Sequence, residues 1–266
     1  MAKMNNFGFM DLTGQWPRFD TDADKYGRGV VGLATGSERY PGAGVLSVLG
    51  ALNCGAGFVR YCGPESVRAA LLTRAPSVTF GAGRVDAWVA GCGWDEEDDT
   101  NQDRWWQICQ DAVPVVVDAD ALSLAADRVP DGSLMTPHAG ELARLLDVER
   151  SAIEEDPPGR ACEAARLFQC VVLLKGHAQF VATPEGTVTQ IQEGSPWLAR
   201  AGSGDVLAGM AGTLLAQTHD PELAGLLAAG MQAYLSIDCL HLGPYPPDRM
   251  AEFLPGVIGQ LERTED

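Results

Sequence analysis

The run Gly202-Ser203-Gly204-Asp205 opens the small-residue segment Val206-Leu207-Ala208-Gly209-Met210-Ala211-Gly212. Its glycines permit positive φ and let backbone N–H groups point into a cavity, while a helix starting there leaves its first amides unpaired and its dipole positive. Such a turn can cradle a phosphate. Asp205 beside that phosphate would supply the base that phosphoryl transfer uses to take a proton from an attacking hydroxyl. The plainer reading is that Asp205 merely caps the helix, since Asp is a favoured N-cap residue.

Three further clusters follow apolar runs. Asp118-Ala119-Asp120-Ala121-Leu122 leaves the run Val113–Val117; its two acids could hold Mg2+ through water, line a polar pocket, or cap a helix. In Thr136-Pro137-His138-Ala139-Gly140-Glu141, His138 and Glu141 share a face if a helix starts there. His138 could then orient a substrate amide or hydroxyl and Glu141 a metal-bound water, or His138 could be a satisfied structural group. Lys175-Gly176-His177 closes Val171–Leu174, where an ammonium could pair with a nucleotide phosphate or simply emerge at a strand end. Gly36–Gly44 lacks the P-loop pattern G-x-x-x-x-G-K-[ST] and could form a close-contact substrate floor.

These clusters need a scaffold that gathers strand ends. Apolar runs bounded by turn residues alternate with helical patterns, as in parallel βαβ units. Strands are expected at Val30–Ala34, Phe58–Tyr61, Ala87–Ala90, Val113–Val117, Leu134–Met135, Val171–Leu174 and Gln179–Ala182, with Val188–Ile191 antiparallel to the last. Helices are expected at Ala43–Cys54, Glu65–Leu72, Thr100–Gln110, Ala121–Leu124, Gly140–Leu145, Gly159–Phe168, Gly204–Ala216 and Glu222–Leu240. In a doubly wound sheet the functional groups then collect at the carboxyl edge. Residues 1–24 lack periodicity and are expected to be an extension over the surface of a single domain, 25–266.

The 266 residues, 46% of them hydrophobic, suffice for one full core. With 19 Lys+Arg against 36 Asp+Glu, the net charge of −17 repels nucleic acid and anionic membranes, so neither is an expected partner. A phosphate-rich ligand must be held locally, which singles out Lys175 among only three lysines. The seven cysteines form no C-x-x-C pair and read as reduced core residues. No span of about 18 apolar residues and no basic-then-apolar leader is visible, so a cytoplasmic location is expected.

Taken in order, the clusters resemble the ADP/ATP-dependent NAD(P)H-hydrate dehydratases of the ribokinase-like superfamily, from about Lys25 onward. The resemblance rests on Gly36–Ala43, Gly55-Ala56-Gly57, Gly91-Cys92-Gly93, Asp118–Leu122, Thr136–Glu141, Lys175-Gly176 and Gly202–Leu207. It implies a three-layer α/β/α sandwich with a mostly parallel central sheet, and repair of NADHX or NADPHX by nucleotide-dependent dehydration. It further implies Asp205 as catalytic base; Ala43, Gly93, His138 and Asp205 against the hydrated dinucleotide; and Lys175, Gly176, His177, Ala178, Gln179, Gly202, Ser203 and Gly204 against ADP or ATP. Mg2+ would bridge the nucleotide phosphates, with Asp118 and Glu141 as candidate ligands through water. A separate NAD(P)HX epimerase would be the pathway partner, and the apolar Glu222–Leu240 would suit a homo-oligomer interface.

The chain differs from the family pattern at Arg200 and Ala201 before the catalytic turn, at Asp95, at Ser123, and at Tyr234-Leu235 where His-Gly is usual. A small-molecule kinase of the hydroxymethylpyrimidine or hydroxyethylthiazole type shares Gly-x-Gly-Asp, but Thr-Pro-His-x-Gly-Glu favours the dehydratase. A nucleotide-binding paralogue without turnover is the other alternative.

Overall fold

A computed structural model describes residues 3–126, 128–238 and 244–263. The strands are β1 (Lys3–Phe7), β2 (Val30–Ala34), β3 (Phe58–Tyr61), β4 (Thr79–Phe80), β5 (Ala87–Ala90), β6 (Val115–Val117), β7 (Leu134–Met135), β8 (Val171–Leu174), β9 (Gln179–Ala182) and β10 (Thr187–Ile191). They form one sheet in the order β1-β10-β9-β8-β7-β6-β5-β2-β3-β4. Only β9 runs against its neighbours, β8 and β10. The helices are α1 (Phe9–Gln15), α2 (Pro41–Asn53), α3 (Glu65–Arg74), α4 (Thr100–Gln110), α5 (Ala121–Ala125), α6 (Ala139–Leu146), α7 (Arg150–Glu155), α8 (Pro157–Phe168), α9 (Ser203–Thr218), α10 (Pro221–Asp238) and α11 (Pro247–Arg263).

The apolar runs are strands because both of their faces are covered, as parallel sheets require. Alternate residues feed two cores. Val31, Leu33, Val89, Val116, Leu134, Leu173 and Val181 join α2, α9 and α10 on one side. Val30, Ala34, Trp88, Val117, Met135, Val172 and Leu174 join α4, α6 and α8 on the other. The architecture is therefore the expected three-layer sandwich with a mostly parallel sheet.

The structure differs from the expectations at several places. The first 24 residues do not simply run over the surface: β1 pairs in parallel with β10, and Phe7, Leu12 and Trp16 are buried in the first core. Only five residues of strand and seven of helix are involved, too short a stretch for a clear period. The helix expected at Glu222–Leu240 is α10, with its last two positions, and Cys239, outside the described residues. Its apolar side chains Ala224, Leu227, Ala228, Met231 and Leu235 are buried in the first core, so intramolecular packing accounts for their apolarity. The strand expected from Val113 begins at Val115, because Pro114 has no N–H to donate to the ladder. The sequence reading also passed over β4, α7 and α11, which are short or carry an internal proline.

The carboxyl edge is knitted together beyond the strands. Gly36 N–H donates to the Cys92 carbonyl at 2.7 Å, Asp118 N–H to Ala90, Thr136 N–H to Val117, and Lys175 N–H to Pro137. Gly91, with φ +103°, lies where a Cβ would overlap the Asp118 carbonyl oxygen. Gly91→Ala combines backbone strain with that overlap and is expected to lower stability by about 3 kcal/mol or more. Urea unfolding checks this, and an unchanged midpoint would contradict the close approach.

Candidate functional site

Three loop clusters meet at the carboxyl edge beside the start of α9. Asp118 follows β6, Thr136 to His138 follow β7, and Lys175 follows β8. A bridge between His138 and Lys175 continues the parallel pairing past the strand ends. The sheet order β8-β7-β6-β5 therefore lines up Lys175, Thr136, Asp118 and Cys92 as successive groups on one edge.

Asp118 is 2% exposed. Its carboxylate accepts from the Lys175 ammonium in a short ion pair, from Thr136 Oγ1 at 2.8 Å and from Cys92 Sγ at 3.3 Å. Burial on its own would depress the Lys175 ammonium, but Asp118 and then Glu141 outweigh it and hold the lysine above its ordinary value. Asp118 and Asp120 do not act as a pair. Ala119 between them takes a positive φ of 46°, and Asp120 lines separate cavities, where burial, then Glu96 and Glu141, push its carboxyl up to about 6.

Asp205 does not cap α9. The N-cap is Gly202, at φ +93°, a left-handed conformation that glycine adopts without a Cβ penalty. Asp205 falls in the first turn, and its carboxylate takes no hydrogen bond among the described residues. The amides of Gly204 and Asp205 likewise find no acceptor among them, as the first turn of a helix dictates. Burial, reinforced by Asp118 and opposed by Lys175, raises the Asp205 carboxyl to about 6. One oxygen each of Asp205 and Asp118 and the Cys92 sulfur lie within 4.8 Å of one another. A Cβ placed on Gly204 would stand 3.5 Å from the Lys175 nitrogen. The carboxylate thus lies near the Lys175 ammonium, beside a turn whose amides have no acceptor among the described residues.

A cavity of about 520 Å³ adjoins this turn, lined by His138, Lys175, Gly176, His177, Gln179, Ser203 and Gly204 together with Gly194 to Pro196, Leu198 to Arg200 and Gln232. Most of the expected nucleotide residues are therefore together; Ala178 and Gly202 do not line the cavity, although Gly202 shapes its turn. His138 caps α6 by accepting at Nδ1 from the amides of Gly140 and Glu141 at 3.0 and 3.1 Å, and Glu141 reciprocates on the His138 amide at 2.7 Å. His138 Nε2 in turn lies 3.5 Å from a Glu141 carboxylate oxygen. His138 is both structural cap and cavity wall.

The expected dinucleotide residues Ala43 and Gly93 touch: a Cβ on Gly93 would overlap that of Ala43. Gly93 lines a cavity of about 510 Å³ with Arg39, Tyr40, Trp94 and Asp120. Glu96 and Asp120 join it to a further cavity of about 640 Å³ that Glu141 and Arg144 also line. Cys92 precedes Gly93, and Gly204 precedes Asp205, so the chain neighbours of the clustered groups line cavities on either side.

The positions that differ from the family pattern have partners. Asp95 lies 3.5 Å from Arg39. Arg200 donates to the Pro244 carbonyl at 3.1 Å and lies over the Trp197 ring. Tyr234 stacks on Phe9, with centroids 3.9 Å apart. Sequence reasoning missed Cys92 as a partner of Asp118, although Gly91-Cys92-Gly93 marked its place. It also missed Gln232, which donates to the Ser203 carbonyl at 2.8 Å from a helix that carries no local signal. No disulfide links the six described cysteines. No described helix is long and apolar enough to cross a membrane.

A family profile described as NAD(P)H-hydrate dehydratase matches residues 31–252. The bifunctional NAD(P)H-hydrate repair enzyme Nnr of Mycobacterium tuberculosis is 39% identical over 230 residues, covering 81% of this chain and 47% of that protein. The chain spans about half the length of the curated relatives it matches. The crystal structure of the ADP/ATP-dependent NAD(P)H-hydrate dehydratase from Bacillus subtilis, co-crystallised with ATP/Mg2+, superposes with a TM-score of 0.89. It is 26% identical and covers 97% of this chain and 99% of that one. Hydroxyethylthiazole kinase from Pyrococcus horikoshii shares the fold, with a TM-score of 0.68, 18% identity, and coverage of 90% and 92%.

Proposed function

Because the chain belongs to the NAD(P)H-hydrate dehydratase family, we propose that it dehydrates NADHX or NADPHX at the expense of ADP or ATP. The observation that carries this reading is the Asp205 carboxylate, without a hydrogen-bond partner among the described residues, beside the α9-turn amides that likewise find no acceptor among them. The hydrated ring would enter on the Ala43–Gly93 side and the nucleotide on the Lys175–Gly204 side. Asp205 takes the proton of the ring hydroxyl while that oxygen attacks the terminal phosphorus, and the bond from phosphorus to the departing nucleotide breaks. The amides of Gly204 and Asp205 stabilise charge on the phosphoryl group in transit. The ring nitrogen's lone pair then expels phosphate, and loss of a proton from the adjacent carbon restores the double bond. His138, on the wall of the cavity, would stand beside the ligands where they meet. An NAD(P)HX epimerase remains the expected pathway partner.

Mg2+ suits this donor set only through water. Asp118 already accepts three hydrogen bonds, and one Glu141 oxygen is committed to the His138 amide. Bound on the nucleotide, the ion would neutralise phosphate charge. Chelation with EDTA is expected to abolish turnover and Mg2+ to restore it; full activity in EDTA would remove the ion from the reaction.

The test is recovery of NADH absorbance from NADHX with Mg2+ and either ADP or ATP. Nucleotide-dependent recovery is expected, and its absence would turn the assignment toward a kinase or a binding paralogue. Because the base must be ionised, kcat/KM is expected to fall as pH drops through about 6, the raised value of Asp205. A profile flat from pH 8 to 5 would exclude Asp205 as the base.

A further inference from the structure

Gln179 is 6% exposed, lines the 520 Å³ cavity, and makes no side-chain hydrogen bond among the described residues. Other polar groups of that wall are engaged. Lys175 holds Asp118, Gln232 donates to the Ser203 carbonyl, and Ser195 Oγ accepts from the Trp197 amide. The side chain is packed into the wall, yet its carboxamide opens on the cavity with neither donor nor acceptor paired by the described residues, so it points to a ligand that completes it there.

The sheet says which part of a nucleotide lies there. β9 sits between β8 and β10. The pairing of Leu174 with Phe180, continued by one residue, sets Gln179 opposite Lys175, and Gln179 also pairs with Ile191. On the β8 side stand Lys175 and the α9 turn, which suit phosphate. On the β10 side the chain continues into Gly194, Ser195, Pro196 and Leu198, whose apolar members suit a base. The group between phosphate and base is the sugar. A phosphate offers only acceptors and would leave the Gln179 oxygen unmatched, whereas a hydroxyl both donates and accepts, as the carboxamide does.

We propose that Gln179 hydrogen-bonds the ribose hydroxyls of the bound adenine nucleotide and makes this site select ribonucleotides over deoxyribonucleotides. The assignment rests on the nucleotide reading above. A site built to pair a hydroxyl rejects an analogue lacking it because its own polar group is stranded.

The experiment measures Kd by calorimetry for ATP, 2′-deoxy-ATP, 3′-deoxy-ATP and ITP, on the full chain and on Gln179→Leu, with thermal midpoints of both without nucleotide. The native chain is expected to bind at least one deoxy analogue about tenfold more weakly than ATP. Gln179→Leu is expected to bind ATP about tenfold more weakly, to lose the preference over the deoxy analogue, and to keep or raise its ligand-free midpoint. Equal binding of ATP by the two proteins, or no deoxy discrimination by the native chain, overturns the inference while leaving the nucleotide site intact. Loss in Gln179→Leu of discrimination against ITP alone reassigns the side chain to the base and also overturns it. Failure of the native chain to bind ATP at all refutes the nucleotide reading itself.

Discussion

Asp205→Asn is expected to lower turnover by at least about a thousandfold while leaving fold and nucleotide affinity nearly intact. An amide of the same shape cannot take the hydroxyl proton. The folded structure loses no hydrogen bond by the change, because the Asp205 carboxylate has none among the described residues. Burial and the nearby Asp118 raise its carboxyl from the ordinary value to about 6. Protonation therefore favours the folded state: that contribution is complete below about pH 4 and is lost as pH rises through 6. At pH 8 the native chain carries the penalty of an ionised, half-buried carboxylate that the Asn variant lacks. The variant's thermal midpoint at pH 8 should equal or exceed that of the native chain, with the gap closing near pH 4. Residual turnover near the native level would remove Asp205 from the chemistry, and a large fall in midpoint would make it a structural residue.

Asp118→Asn should produce the largest loss of stability in the site. Its carboxylate, 4% exposed, balances an ammonium that is itself 17% exposed, so removing one partner leaves the other charge buried and unpaired. Breaking such a pair costs about 3–5 kcal/mol. Urea unfolding of Asp118→Asn, Lys175→Met and the double variant forms a thermodynamic cycle. The double variant is expected to be more stable than the sum of the single losses predicts, because no lone charge remains. Strict additivity would show that the two groups do not depend on each other. Nucleotide affinity should fall with Lys175→Met even where stability is recovered, since the ammonium also stands beside Gly204.

Much of this was legible in the amino-acid sequence because the signals are local. Strands such as Val30–Ala34 and Val171–Leu174 are continuous apolar runs, which a sheet covered on both faces requires. The glycines around Ser203 and the acid after them mark a helix start from four residues. Those features pointed to a parallel α/β sheet and a helix start with an acid beside it, while the three-layer sandwich and the catalytic role of that acid came from the family resemblance of the motifs. The first 24 residues escaped because their strand and helix are too short to establish a period, and their place depends on pairing with β10, far away in the chain. The apolarity of α10 suggested an outer interface, and most of its apolar side chains pack against α9 and α1 within the first core.

The roles within the site depended on which side chains the strand ends bring together. Sequence order sets Asp118 beside Asp120, but the positive φ of Ala119 parts them, and the alignment of β6 with β8 gives Asp118 to Lys175 instead. His138 and Glu141 close on each other as caps of α6. Asp205 is left without a hydrogen-bond partner among the described residues because Gly202, not the aspartate, begins the helix. Residue types and short spacings determine which groups are available and where elements start. Which charges neutralise each other, and which buried polar groups are left for a ligand, is decided by contacts between distant segments, since electrostatics and desolvation depend on distance in space rather than along the chain.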